Sequence, residues 1–270
     1  MEVHHHSHLA SGETHTERKK WTHYFWEFLM LFLAVFCGFL AENQREHMIE
    51  NRREKQYAKE LYSELSDDSV VASNILRIRL DKEKDMDYLY SYFKDSSLTL
   101  LPREFYPAYT VGTYFVNTYA FEPKDGILSQ LRNSGSLRYF KSMNLQKLFG
   151  DISVCINNIR FRNDQEYQYF ASPVKAFILK HYDFNWLNEV REENENKNSV
   201  GIALINNYRQ SNTTIEGHIL NVSTFNREEA SNMISFFKQM MVSTRTLQLN
   251  NYSITNHKLL DALRQHYNLK

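Results

Sequence analysis

An unbroken apolar run near the start of the chain gives the first predicted element. No polar residue interrupts positions 28–41, and a helix over residues 21–41 would be about 31 Å long at 1.5 Å per residue. That length matches the hydrocarbon core of a bilayer, and aromatic residues crowd the first turns as they do at membrane interfaces. The pattern predicts one transmembrane helix over residues 21–42, with the lipid bilayer as its partner.

Two other interpretations of this run are less favoured. A cleaved signal peptide would end in small residues and a loop, whereas this run is rich in aromatic residues and continues into Glu42, Asn43 and a charged helical pattern. The buried helix of a soluble protein is the plainer alternative for a run that is apolar all round, and the length of the run favours the bilayer.

The charges that flank the run leave its orientation nearly undecided. Three cations precede the run and four follow it, namely Arg18, Lys19 and Lys20, then Arg45, Arg52, Arg53 and Lys55. The positive-inside rule therefore gives a near tie. A short N-terminal tail before a first span usually stays in the cytoplasm, so we expect a cytoplasmic N-terminus and an exported C-terminal part. The opposite topology stays open.

A carboxylate and three small residues share one face of the predicted membrane helix. Steps of four and three residues align the candidate helix-packing residues Glu27, Ala34, Gly38 and Ala41. Small residues at such spacing allow two membrane helices to approach closely, and an intramembrane carboxylate usually faces a partner. The stripe predicts packing against a second copy or another membrane protein. A monomeric anchor in which His23 holds Glu27 near the headgroups is the favoured interpretation, and helix packing along the stripe is the sharper hypothesis beside it.

A long stretch without helix-breaking residues follows the apolar run. Neither glycine nor proline occurs between Gly38 and Pro102, and apolar positions recur through the stretch at steps of three and four. The membrane helix is therefore predicted to continue as a stalk and to enter the domain over residues 43–97. A break at Ser66-Asp67-Asp68, which could cap a new helix, is the alternative.

The remaining chain, residues 98–270, mixes helical patterns with polar and aromatic connections. Residues 98–122 carry two prolines and many aromatics and are predicted as a loop with short extended pieces, and residues 183–215 are predicted to be solvated. Helical patterns are predicted over residues 124–135, 137–182 with a break near Pro173, 226–241 and 254–267. The predicted fold class is all-α: a transmembrane helix that continues into a stalk helix, and a bundle of four or five helices with an aromatic-rich loop.

Two stretches of the chain carry a resemblance to a family. The first is AENQREHMIENRREKQYAKEL, directly after the apolar helix, and the second is TYAFEPKDGILSQLRNSGSLRYFKSMNLQKLFGDI. With them the chain resembles a family of uncharacterised bacterial single-pass membrane proteins that have a short leader, one N-terminal transmembrane helix and a helical C-terminal domain. The resemblance is clearest over residues 20–65 and 118–150. It implies the bacterial inner membrane and names no reaction, cofactor or catalytic residue.

Composition narrows the range of partners. The 270 residues include 32 Lys and Arg against 32 Asp and Glu, so the formal net charge is zero. A chain without a global basic field is not expected to bind nucleic acid. Its two cysteines, Cys37 and Cys155, exclude a disulfide framework and the usual thiolate zinc sites.

Histidines are concentrated in the leader, residues 1–20. Imidazoles at this density can ligate zinc, nickel or copper, and the candidate metal ligands are His4, His5, His6 and His8. An unstructured leader with incidental metal affinity is favoured. A purposeful metal-sensing or metal-buffering tail and a shortened purification tag are the alternatives.

Recognised catalytic patterns do not occur in the sequence. It contains no His-Glu-x-x-His, Gly-x-Ser-x-Gly, glycine-rich phosphate loop or dinucleotide fingerprint, so we predict no catalytic residue and no cofactor. The acidic residues between 67 and 87 are interpreted as a solvated surface. The aromatics of residues 98–122 either cap the bundle core or line a ligand pocket.

These patterns favour a non-enzymatic, membrane-anchored helical binding module, acting as a sensor, scaffold or accessory subunit. Two alternatives belong to other classes of protein. One is a metal-responsive membrane protein that uses the histidine-rich leader. The other is an enzyme whose site is assembled from distant residues such as His181, His218 and His257.

Overall fold

The computed structural model describes residues 21–194 and 198–269, and all of the regular structure in these ranges is helical. The all-α prediction is therefore confirmed. Several of the described helices are short, so their number exceeds the predicted four or five. Their bounds are α1 Trp21–Asp95, α2 Phe105–Tyr109, α3 Gly126–Asn133, α4 Met143–Tyr169, α5 Lys175–His181, α6 Phe184–Glu193, α7 Gly201–Gln210, α8 Arg227–Ser243 and α9 Asn250–Tyr267.

Shorter helical turns connect several of these helices. The π-helical turns are Thr110–Tyr114, Phe170–Val174 and Thr244–Leu249, and the 3-10 turns are Asn117–Tyr119, Ser136–Tyr139 and Val222–Thr224. Pro173 lies in the π turn between α4 and α5. Because proline has no backbone N–H, it removes one α-helical hydrogen bond at the predicted interruption.

Helix α1 continues through the position where the sequence offered a break. Asp68 does not cap a new helix. It is buried, and its Oδ2 accepts hydrogen bonds from the Tyr252 hydroxyl at 2.9 Å and from the Lys124 backbone N–H at 2.8 Å. A residue whose sequence context resembles an N-cap thus connects α1 to two distant segments.

The chain divides into two compact units, with the boundary between Arg53 and Glu54 inside α1. The second unit contains two apolar cores. The first core packs residues 58–75 of α1 against α3, α4 and α9, and among its buried residues are Leu61, Leu65, Leu131, Ile152, Ile156 and Leu259. The second core packs residues 86–93 of α1 against α2, α5, α6, α7 and α8, and among its buried residues are Met86, Phe93, Tyr109, Ile178, Trp186, Ile205 and Phe237.

Two predicted helix ends are confirmed. The Asn226 side chain accepts hydrogen bonds from the backbone N–H groups of Glu228 and Glu229, at 3.1 and 3.2 Å, at the start of α8. Gly135 follows α3 with φ 68°. Glycine adopts this left-handed conformation without steric cost, which explains why the helix ends there.

The aromatic segment, residues 98–122, differs from its prediction as a loop with extended pieces. It contains α2, a π turn and a 3-10 turn. Phe105, Tyr109 and Phe121 are buried, so these aromatics fill the cores and do not line an open pocket. Aromatic residues on every side of a short segment hide the helical period, and burial against other segments then stabilises the turns.

The prediction that residues 183–215 are solvated is wrong. The described part of this segment forms α6 and α7, and Trp186 lies in the second core. Trp186 stacks on Tyr106 with ring centroids 4.9 Å apart. On Gly217, a Cβ atom would lie 2.3 Å from the Tyr106 ring. Only glycine therefore allows the chain to approach the aromatic ring this closely.

Candidate functional site

The apolar part of α1 exposes its side chains in the single chain. An 18-residue window of this helix is 0% buried, and among the described residues α1 is the one helix long and apolar enough to cross a membrane. Phe28, Val35 and Phe39 are 65%, 69% and 68% exposed. An α-helix satisfies its own backbone hydrogen bonds, as a segment in hydrocarbon must. Length and composition therefore allow this helix to cross a bilayer.

The predicted helix-packing residues all lie on this exposed part of α1. Glu27, Ala34, Gly38 and Ala41 are exposed, and nothing lies within 4 Å of a Cβ atom placed on Gly38. The Nε2 atom of His23 lies 3.1 Å from Oε1 of Glu27. The histidine contact expected for an interfacial Glu27 is therefore present, and the face remains open for the predicted packing.

The candidate metal ligands His4, His5, His6 and His8 lie outside the described residues. Among the described residues, no group of three or more His, Cys, Asp or Glu side chains is placed to hold a metal ion.

The three candidate histidines for an enzyme site, His181, His218 and His257, each contact a different part of the second unit. His181 is buried in the second unit, and its Nδ1 lies 2.8 Å from the Leu220 carbonyl oxygen. His257 is exposed on α9, where its Nδ1 lies 2.6 Å from the Ser253 carbonyl oxygen of the same helix. The His218 carbonyl oxygen accepts a hydrogen bond from the Tyr106 hydroxyl at 2.5 Å.

A buried ionic cluster lies between the two apolar cores. We call it the charged layer, and it consists of the buried residues Arg79, Lys82, Glu83, Glu166 and Thr244 and of the partly buried Arg245. The Arg79 guanidinium is 0% exposed and donates two hydrogen bonds to the Glu166 carboxylate, at 2.8 and 3.1 Å. The Thr244 hydroxyl donates to the same carboxylate at 2.5 Å. A bidentate pair with a further donor satisfies both buried charges.

Arg79 also contacts the other segments that pass between the cores. Its Nε donates to the Tyr119 carbonyl oxygen at 2.8 Å, and its Nη1 lies 3.4 Å from the Met241 carbonyl oxygen. The chain passes from one core to the other in α1, near residue 120, in α4 and after residue 241. The Arg79 side chain on α1 thus contacts each of the three other segments that pass from one core to the other.

Lys82, one helical turn after Arg79, is fully buried. Its Nζ donates to the Phe115 carbonyl oxygen at 3.3 Å and lies 4.5 Å from the ring centroid of Tyr119 and 5.1 Å from that of Phe237. Burial lowers the pKa of Lys82 to about 7, whereas the nearby Glu166 carboxylate acts to raise this pKa. Burial therefore favours the neutral form of this amine, whose whole surface contacts protein.

The acidic residues between 67 and 87 are not all solvated as the sequence suggested. Glu83 is buried and accepts two hydrogen bonds from Arg245, at 2.7 and 2.8 Å. Asp85 accepts one from Arg209 at 2.7 Å, and burial raises the pKa of Asp85 despite this cation. Asp81, in contrast, is exposed and pairs with Lys84.

Sequence reasoning missed the charged layer, although a signal for it exists. Arg79 and Lys82 continue the alternating steps of four and three that connect Ile75, Met86 and Leu89. Charged residues at positions otherwise reserved for apolar ones indicate a buried ion pair or hydrogen-bonded cation. The partners could not be identified in this way, because Glu166 and Arg245 are far away in the sequence.

Comparisons of the chain with family models, with curated proteins and with solved structures find no match.

Proposed function

We propose that this protein is a single-pass, membrane-anchored helical binding module of the bacterial inner membrane, acting as a sensor, scaffold or accessory subunit. The exposed apolar part of α1 carries the proposal. Apolar surface left in water costs about 25 cal/mol per Å², and a large exposed patch marks a contact with a membrane or a partner. A bilayer removes this surface from water on every side of the helix, as a run that is apolar all round requires.

The proposed topology has a cytoplasmic N-terminus and an exported second unit. Cations flank the apolar run on both sides. These cations nearly balance across the run, so the positive-inside rule does not choose the orientation, and the labelling experiment below tests the proposed one.

Binding, as opposed to catalysis, is supported by how the second unit uses its reactive side chains. Lys82, Glu166 and His181 are buried, and each contacts a protein partner. These contacts assign the groups to holding the unit together. We propose that the module acts through its surface and through the anchor helix.

The stripe of Glu27, Ala34, Gly38 and Ala41 is the proposed contact of the anchor with a second copy or another membrane protein. Gly38 has open space where a Cβ would lie, so a neighbouring helix could approach its backbone closely. An intramembrane carboxylate next to these small residues adds a polar group that favours a protein neighbour over lipid.

The proposal is tested by labelling a single exposed cysteine in cells. Leu100 is 81% exposed in the second unit, so we would introduce Leu100→Cys together with Cys37→Ala and Cys155→Ser. A membrane-impermeant maleimide is applied to cells whose outer barrier alone is permeabilised. A second sample is lysed first, and membranes are extracted with alkaline carbonate in parallel.

We expect labelling without lysis and retention of the protein in carbonate-washed membranes. Labelling that needs lysis would reverse the proposed topology. Release of the protein by carbonate would overturn the membrane anchor, because integral proteins resist this treatment. Protease digestion of a C-terminal tag in the same cells provides a second, independent measure of topology.

A further inference from the structure

The start of α4 presents an exposed methionine flanked by lysines. Met143 is 85% exposed at the first position of the helix, directly after Ser142, whose hydroxyl accepts a hydrogen bond from the Leu145 N–H at 3.4 Å. Lys141 and Lys147 are both exposed. Met143 and Lys147 are separated by four residues, so they lie on the same face of α4.

This surface lies at the end of the second unit where α1 enters it. The Phe140 ring centroid is 6.2 Å from that of Tyr267. The Tyr267 hydroxyl donates a hydrogen bond to Oε1 of Glu54 at 2.5 Å, and Glu54 is the first residue of the unit. Lys55, the next residue, is exposed. Contacts therefore connect Lys55 with the start of α4, and we call Lys55, Lys141, Met143 and Lys147 the basic end.

The surface lysines of the described residues fall into two groups, those that form an ion pair and those that, like Lys175 and Lys180, do not. Among the described residues, Lys84, Lys124 and Lys238 each pair with an aspartate. In the same part of the chain, the three lysines of the basic end form no ion pair. The carboxylate of Glu54 is already hydrogen-bonded by Tyr267. The basic end therefore has an excess of positive charge around one exposed apolar side chain.

We propose that the basic end docks on the anionic phospholipid headgroups of the bilayer that holds the apolar part of α1. This inference rests on the proposed membrane anchor. Even fully extended, the chain between Ala41 and Glu54 spans at most roughly 45 Å, so in an anchored protein the basic end is within reach of the lipid surface. Lysines at such a surface are attracted to anionic lipid, and the flexible thioether of Met143 enters the boundary between headgroups and acyl chains.

The test places a fluorophore at three single cysteines of the full-length protein in vesicles. The first variant keeps Cys37, inside the apolar run, and carries Cys155→Ser. The second and third carry Met143→Cys or Leu100→Cys with both native cysteines replaced. Leu100 is 81% exposed and serves as a matched control for an exposed apolar position. Vesicles contain phosphatidylcholine alone or with phosphatidylglycerol, and a nitroxide-labelled lipid quenches fluorophores near the headgroups.

We expect position 143 to be quenched at least about twofold more than position 100 in vesicles with phosphatidylglycerol, and the difference to disappear in high salt. The paired reversal Lys141→Glu/Lys147→Glu is expected to remove the difference. The control pair Lys175→Glu/Lys180→Glu changes the charge equally at exposed positions on α5 and is expected to preserve it.

Equal quenching at positions 143 and 100 would overturn the inference, whereas strong quenching of the fluorophore at Cys37 in the same vesicles would leave the anchor intact. Quenching at 143 that persists in phosphatidylcholine alone, or after reversal of the two lysines, would overturn the anionic-lipid chemistry. An unquenched fluorophore at Cys37 would overturn the proposed function itself.

Discussion

The two parts of α1 place their side chains in opposite ways. Before Arg53, apolar side chains such as Phe28 and Val35 are exposed, whereas after Glu54 the charged side chains of Arg79 and Lys82 are buried. The backbone is the same α-helix throughout. The difference shows that the helix fixes which residues share a face, whereas the surroundings decide whether that face is buried or exposed.

One exposed and one buried glutamate show which partner a carboxylate needs in each environment. Glu27 has its partner His23 one turn away on the same helix, at 3.1 Å. Glu166 has its partner Arg79 on another helix, at 2.8 Å, and is buried. A local partner suffices for an exposed carboxylate, whereas a buried one needs a cation supplied by the tertiary fold.

The largest expected effect comes from removing the buried cation. Arg79→Met leaves the Glu166 carboxylate buried without its partner, and we expect a loss of about 3–5 kcal/mol in the free energy of unfolding. Chemical denaturation of the full-length protein in detergent measures this loss. The matched control is Arg77→Met, an exposed arginine on the same helix, with an expected change within about 0.5 kcal/mol. Equal losses for the two variants would contradict a structural role for the charged layer.

The lowered pKa of Lys82 predicts that the free energy of unfolding depends on pH. Its pKa is about 7 in the folded protein, against 10.5 in the reference state. Between these values the unfolded chain binds a proton that the folded protein does not bind, so the free energy of unfolding rises as pH increases from 7 toward 10.5. Below pH 7 both states bind the proton, and this contribution to the pH dependence ends.

The variant Lys82→Met removes this titration. Relative to Lys82→Met, the native protein should gain up to about 3 kcal/mol in the free energy of unfolding between pH 7 and pH 9.5. The comparison is made by denaturation at both pH values. Lys84→Met, at an exposed lysine paired with Asp81, should keep the native pH dependence. An identical dependence in all three proteins would show that Lys82 does not titrate in this range.

Two glycines of the second unit differ in how much space surrounds them, and substitutions to alanine test this difference. Gly217→Ala would place a Cβ atom against the buried Tyr106 ring, which Trp186 and the His218 carbonyl hold in place. We expect a loss of about 1–3 kcal/mol from the free energy of unfolding.

Gly150→Ala serves as the control for this substitution, because nothing lies within 4 Å of its Cβ position in α4. It should stabilise the protein by about 0.5–1 kcal/mol, since alanine favours helix more than glycine does. Thermal unfolding compares the two variants. A Gly217→Ala protein as stable as the native one would mean that the Tyr106 ring can move aside.

The smallest expected effect lies in the apolar part of α1. Gly38→Ile meets no neighbour within the single chain, so the fold of one chain should be unaffected. If helices pack along the stripe, the added bulk should weaken self-association about tenfold. Cross-linking in native membranes measures the association. Cys37→Ile, one residue off the stripe, is the control, and equal association of all variants would favour the monomeric anchor.

Local rules predicted the features that depend on neighbouring residues. The helical fold class, the end of α3 at Gly135, the cap at Asn226 and the interruption at Pro173 are all confirmed. Each depends on the conformational limits of one residue type or on a hydrogen bond within three residues. Such interactions are already encoded in a short stretch of sequence.

Distant partners account for the predictions that failed. Residues 183–215 appeared too polar to be buried, yet Trp186 packs in the second core. The aromatic segment lacks a helical period, yet burial stabilises its short turns. In both cases the apolar surface that covers the segment comes from elsewhere in the chain, and a local pattern does not contain that information.

The sequence by itself determined that the chain is helical and that one part of α1 is apolar enough for a bilayer, whereas the structure decided that α1 continues past Asp68. The first two properties follow from residue spacing and from the absence of breaking residues. Only the tertiary structure decided that Arg79 and Lys82 are buried and that Glu166 is the partner of Arg79. A charged side chain can leave water only where partners converge on it, and here those partners come from segments far apart in the sequence.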